Sequence, residues 1–235
     1  MNRRIPMKNI ALAALLALVA IASFAATDVQ PHGEGIGDKD YVWNEMRGEK
    51  LQVLRTKGDP TRGEIAFEIC GGCHKDGAQG RPDGSVPRLA GQHASVLIKQ
   101  MVDIRAGRRD NPKMYPFASQ HVLSPQDIAD IAIYLQGLPV PANHGRGPGK
   151  DLEKGKALYV ADCQSCHGEN GEGYGLKFFP RVSGQHYAYL LREVRAIRDG
   201  ERRNGNPKMV NVVKPYSDAD LEAVIDFSSR LPVAP

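Results

Sequence analysis

The sequence predicts an all-α protein built of two tandem domains, and three observations carry that expectation. Cys70-Gly71-Gly72-Cys73-His74 recurs as Cys163-Gln164-Ser165-Cys166-His167, 93 residues further on. The flanking sequence keeps the displacement: Pro87-Arg88-Leu89-Ala90-Gly91-Gln92-His93 answers Pro180-Arg181-Val182-Ser183-Gly184-Gln185-His186. Apolar residues outside these motifs fall at helical spacing, with little of the alternation that marks a strand.

Taken in order, residues 1–25 read as a secretory signal. Arg3, Arg4 and Lys8 precede an apolar run from Ile10 to Ala22, and Ser23-Phe24-Ala25 offers small residues where a signal peptidase reads. The uncharged run is shorter than the roughly 20 residues of a bilayer span, which argues against a retained anchor. Residues 26–58 stand outside the repeat and hold the only tryptophan, Trp43, together with Val42, Met46, Leu51 and Leu54. A helix packed on the first domain is expected there, with docking of a partner as the competing role.

Residues 59–138 form the first domain. One helix, about Thr61 to Ile69, leads into the cysteines. A second, Ala94 to Ala106, places Val96, Leu97, Met101 and Ile104 on one face. The last starts at Ser124, an N-cap followed by Pro125 at the first helical position and by Asp127 three residues on. Residues 139–150, rich in proline and glycine, read as the linker. Residues 151–235 repeat the pattern with helices at Leu152–Ala161 and Tyr187–Ile197 and a last one capped by Ser217.

Composition narrows the partners. The 31 lysines and arginines exceed the 27 acidic residues, but Arg3, Arg4 and Lys8 leave with the signal. The mature chain is then almost neutral, so the net charge gives no reason to expect a nucleic-acid partner.

Four cysteines in an exported chain would ordinarily suggest disulfides. Their spacing points elsewhere. In C-x-x-C-H two thiols are placed to add to the two vinyl groups of one haem, and the adjacent histidine then faces the iron. Zinc ribbons need their cysteine pairs in one small module, whereas these pairs lie far apart and each is followed at once by histidine. Two covalently bound haem c groups are therefore expected, held by Cys70 and Cys73 and by Cys163 and Cys166, with His74 and His167 as iron ligands. For the sixth position Met114 and Met209 are the candidates. Both close a repeated Asn-Pro-Lys-Met, here displaced by 95 residues, in a segment between two helices. Met101 is answered by Val194 and reads as core. Thioether ligation raises the reduction potential and closes the iron to substrates.

Two further pairs recur. Arg88 and Arg181 could hold haem propionates or be solvated, and repetition does not separate these readings. His93 and His186 are expected near helix starts rather than at iron. His32, His121 and His144 have no repeated counterpart. Arg105, Arg108 and Arg109 with Arg198, Arg202 and Arg203 form either a docking face or a solvated one.

These motifs, in order and twice, resemble the di-haem class I c-type cytochromes of the cytochrome c4 kind over about Gly58 to Pro235. The resemblance implies two class I cytochrome c domains related by a pseudo-twofold, with the haems facing one another across the interface. It implies that the carbonyls of Pro87 and Pro180 accept hydrogen bonds from the histidine rings. It also implies that Gly63 and Phe67 pack on Tyr134, and Gly155 and Tyr159 on Phe227.

The expected function is a periplasmic shuttle of single electrons between respiratory or dehydrogenase donors and a terminal oxidase or reductase, not an enzyme. Its expected partners are redox proteins, with a loose peripheral association with the membrane. A di-haem redox enzyme of the peroxidase or thiosulfate-oxidising type, or a cytochrome subunit of a larger complex, is the alternative.

Overall fold

The structure is a computed structural model describing residues 29–233. The expected signal at 1–25 lies outside the described residues. Among the described residues ten α-helices carry the fold: α1 Gly48–Arg55, α2 Pro60–His74, α3 Ala94–Arg105, α4 Tyr115–Ala118, α5 Pro125–Gly137, α6 Leu152–Leu158, α7 Gln164–His167, α8 Tyr187–Arg198, α9 Pro207–Val213 and α10 Asp218–Ser228. No strand forms among the described residues; Tyr174 and Phe179 make one isolated bridge. No helix among them is long and apolar enough to cross a membrane.

Each half is organised by a crossing of its first and last helices. At the crossing of α2 and α5, a Cβ on Gly63 would stand 2.1 Å from the Asp130 carbonyl oxygen; at that of α6 and α10, one on Gly155 would stand 2.1 Å from that of Ala223. Only glycine lets the backbones approach so closely. One turn on, Phe67 meets Tyr134 with ring centroids 5.8 Å apart, and Tyr159 meets Phe227 at 5.6 Å, as the resemblance implied. Tilted rings at this spacing place a positive edge near a negative face.

The last helices begin where expected. Ser124 and Ser217 accept from the backbone N–H groups of Asp127 and Asp220, whose carboxylates reach back to the serine N–H groups, completing two capping boxes.

The helices leading to the cysteines differ from expectation, and from each other. α2 continues through the whole first motif to His74, so Phe67, Cys70 and His74 share its buried face at helical spacing. In the second half α6 stops at Leu158, and one wider π-type turn, Tyr159–Cys163, joins it to α7. The sequence explains the turn. Gly63 and Phe67 match Gly155 and Tyr159 at a displacement of 92, whereas the cysteines match at 93. One residue has been inserted between them, and a π turn absorbs one residue without breaking the helix.

The methionine segments also diverge. Met114 immediately precedes the four-residue α4, whereas Met209 lies inside α9, whose start is fixed by Asn206 accepting from Lys208 N–H and by Pro207. Met209 therefore does not sit in an irregular segment between helices.

The linker lies along the second half. Gly149 N–H donates to Asp226 at 2.5 Å, Tyr187 N–H to the Gly145 carbonyl at 2.8 Å, and Gly145 N–H to His186 Nδ1 at 3.1 Å.

The N-terminal segment does more than pack on the first domain. α1 fits that expectation, with Val53 fully buried against α3 and α5. Val42 and Met46, however, are exposed, and residues 30–43 run across both halves, with Trp43 stacked on Phe179 of the second at 6.3 Å.

Candidate haem sites

The four cysteines stand as two C-x-x-C pairs with no disulfide among them, Cys70 buried and Cys73 exposed. His74 Nδ1 lies 3.1 Å from the Pro87 carbonyl oxygen and His167 Nδ1 3.0 Å from that of Pro180. A carbonyl only accepts, so Nδ1 carries the proton and Nε2 keeps its lone pair, the form an iron ligand needs. Burial lowers the affinity of both rings for a second proton, outweighing the proline carbonyls, which favour the charged ring.

Sequence reasoning missed what brings the proline segment under the histidine. Gly80 and Gly173 have φ of +70° and +74°. Their N–H groups donate to the His74 and His167 carbonyls at 2.9 and 2.7 Å. A Cβ at either would stand 2.5 Å from the carbonyl carbon of Pro87 or Pro180. The signal was available: both glycines stand seven residues before the repeated prolines.

The Pro-Arg-x-x-Gly-Gln-His segments form the contact between the halves. Gln185 Oε1 accepts from Arg88 N–H at 3.0 Å and its Nε2 donates to the Arg88 carbonyl at 2.9 Å. Gln92 does the same to Arg181, at 2.9 and 3.0 Å. The two glutamines thus clamp each other's domains in a pseudo-twofold pattern, a role the sequence reading gave neither. His93 and His186 stand at helix starts, as expected, but their Nε2 atoms also reach the Glu172 and Gln79 carbonyls of the opposite half at 2.9 and 2.8 Å. Gly145 N–H donates to Nδ1 of His186, so its Nε2 carries the proton given to Gln79.

Arg88 is buried and Arg181 half-buried. Nε and Nη1 of both are buried with no hydrogen-bonding partner among the described residues. Nη2 of Arg88 donates to the Ser183 carbonyl at 2.7 Å. Burial, with the Arg181 charge nearby, lowers Arg88 to about 10. Two cations with orphaned, buried donor atoms call for anionic acceptors. Haem propionates have the charge and geometry to fill them, so the residues present fit the group.

Of the basic residues offered for docking, Arg105, Arg109 and Arg202 are committed internally. Arg105 donates to the Ala118 and Leu123 carbonyls and pairs with Glu49. Arg109 and Arg202 both bind Glu193 at 2.9 Å. Met101 packs on the first core and Val194 is buried in the second, in accord with a packing role.

Comparison with known proteins agrees with this arrangement. The Cytochrome c family model matches twice, at residues 61–139 and 152–229. Cytochrome c4 of Pseudomonas aeruginosa is 33% identical over 190 residues, covering 76% of this chain and 92% of that one. A thiosulfate dehydrogenase electron acceptor of Stutzerimonas stutzeri is 32% identical over 190 residues, covering 77% and 85%. The crystal structure of reduced recombinant cytochrome c4 from Pseudomonas stutzeri superposes with a TM-score of 0.66 at 30% identity, covering 74% of this chain and all of that one. Two cytochrome c domains, each with its C-x-x-C-H motif, carry two covalently bound haem c groups, and the chain is an electron-transfer protein belonging to the di-haem cytochrome c4 family.

Proposed function

We propose that the chain is a periplasmic shuttle that takes single electrons from a respiratory or dehydrogenase donor and passes them to a terminal oxidase or reductase. The observation that supports this reading best is the likeness of the two sites. Each has a histidine whose Nδ1 is held by a proline carbonyl, and each has a methionine closing the same Asn-Pro-Lys-Met. An enzyme of this construction would need an open iron, and a methionine available to each haem suits a carrier.

When bound, the haem supplies a reversible one-electron change at its iron. The protein does the rest. Cys70, Cys73, Cys163 and Cys166 anchor the two groups. His74 and His167 ligate through Nε2, with Pro87 and Pro180 fixing ring orientation and raising ligand basicity. Met114 and Met209 complete the coordination and raise the potential. Arg88 and Arg181 bind propionates with their unpaired nitrogens.

The test is the ferric spectrum of the native di-haem protein. A methionine-to-iron charge-transfer band at full intensity for two haems, lost by half in Met114→Ala and in Met209→Ala, is expected. A high-spin signal, or loss of the band in Met101→Ala, would overturn the assignment.

The relative named as a thiosulfate dehydrogenase electron acceptor favours one donor in particular. Thiosulfate alone should leave the ferric protein oxidised, whereas thiosulfate with its dehydrogenase should reduce it. Reduction by thiosulfate alone would favour an enzyme.

A further inference from the structure

Residues 30–43 lie outside both family-model matches, and their contacts converge on equivalent places in the two halves. In the first half, the Gln30 side chain makes three hydrogen bonds around the turn after α3. Its Nε2 donates to the Ile104 and Arg109 carbonyls, both at 2.8 Å, and its Oε1 accepts from Asn111 N–H at 2.9 Å. Asn111 opens the Asn-Pro-Lys-Met that ends in Met114, and its side-chain oxygen accepts from Met114 N–H at 3.2 Å. Gly33 N–H adds a bond to the Gly107 carbonyl at 3.0 Å.

In the second half the same strand of chain grips the turn after α8. Ile36 N–H donates to the Arg203 carbonyl at 2.6 Å, and the Arg203 guanidinium returns a bond to the Gly33 carbonyl. Tyr41 Oη donates to the Gly205 carbonyl at 3.0 Å. Asn206, the cap of α9 that carries Met209, is the next residue. Trp43 then closes the segment, stacked on Phe179 with the Lys99 ammonium 5.5 Å from its ring centre.

We propose that residues 30–43 are a strap that holds the two methionine-bearing segments in place, with Gln30 and Tyr41 as positioning residues for Met114 and Met209 respectively. The proposal rests on the reading that those methionines would ligate the haem irons. The geometry gives it physical content. A short segment leading to a ligand keeps that ligand at the iron only as long as its own backbone is fixed, and turns with few buried apolar contacts open most readily. Neither methionine segment is fixed by a long helix: α4 has four residues and α9 seven. Bonds from outside the repeat supply the fixing, and beside the backbone bonds of Gly33 and Ile36 and the Arg203 guanidinium their side-chain part differs between the halves, three from the Gln30 amide in the first and one from the Tyr41 phenol in the second. The two methionines should therefore respond to different substitutions.

The experiment uses the complete di-haem protein and the rate at which cyanide enters each ferric haem, which requires the methionine to leave. Gln30→Ala, losing three bonds, should raise that rate more than about tenfold for one haem. Tyr41→Phe, which keeps the ring and loses one bond, should raise it about fivefold for the other. Amide exchange over residues 104–115 should rise in the first variant alone, and over 199–210 in the second alone. Unchanged cyanide rates in both variants, or exchange that rises while cyanide entry does not, would overturn the strap as a positioning device. Met114→Ala and Met209→Ala run alongside: if the charge-transfer band survives in these, the ligand reading itself has failed, and the positioning role falls with it.

Discussion

Replacing Gln185 by alanine tests the domain clamp. Gln185 is 5% exposed. Its amide meets three backbone groups: Arg88 N–H, the Arg88 carbonyl and, at 3.0 Å, His186 N–H. Truncation leaves all three buried at the interface with no other partner supplied. An orphaned buried polar group costs about 1–3 kcal/mol, and water entering the vacated space recovers part of that. A loss of about 3 kcal/mol is expected. In a protein of this size that lowers Tm by roughly 6–12 °C. Gln92 makes the matching bonds, but its site is only part-buried, so water substitutes more readily and Gln92→Ala should cost about half as much. Chemical denaturation followed by circular dichroism, in one fixed oxidation state, measures both. Equal losses, or less than about 1 kcal/mol for Gln185→Ala, would refute the claim that the clamp holds the halves together through buried backbone groups.

Three other outcomes follow from single sites. Lys50 is 2% exposed, its ammonium has no hydrogen-bonding partner among the described residues, and burial lowers it from 10.5 to about 8. At pH 7 it is charged both folded and unfolded, so folding bears the whole burial penalty, about 3 kcal/mol at 1.36 kcal/mol per decade. Between about pH 8 and 10.5 the folded protein sheds this proton while the unfolded chain keeps it, so stability rises with pH in that window. Lys50→Met should therefore stabilise at pH 7 and lose its advantage by pH 10.5, as urea titrations at the two pH values would show. Gly155→Ala places a Cβ 2.1 Å from the Ala223 carbonyl oxygen; widening the crossing of α6 and α10 should cost about 1–3 kcal/mol by calorimetry. Ser217→Ala removes one half of the α10 capping box, with an expected loss of about 1 kcal/mol by the same measurement.

How much was legible in the sequence depended on distance along the chain. C-x-x-C-H and the capping boxes are local and duplicated, and duplication let each copy confirm the other, whereas the Gly-aromatic packing was expected only through the family resemblance. Even the π turn is legible afterwards, since the one-residue slip between Tyr159 and Cys163 is written in the spacing. The arginines were not decidable, because repetition says that a residue is used and not whether it is buried. Only the packed interface showed Arg88 and Arg181 with unpaired nitrogens in the interior.

The sequence by itself determined an all-α tandem pair, the haem attachment residues and the histidine and methionine candidates, because haem chemistry demands particular residues at short, fixed spacings. The tertiary structure alone decided that Gln92 and Gln185 clamp opposite domains, that His93 and His186 bond across the contact, and that residues 30–43 run over both methionine segments. These contacts join residues 79–170 positions apart, and nothing in local periodicity or spacing encodes a meeting made only when the two halves and the N-terminal segment pack together.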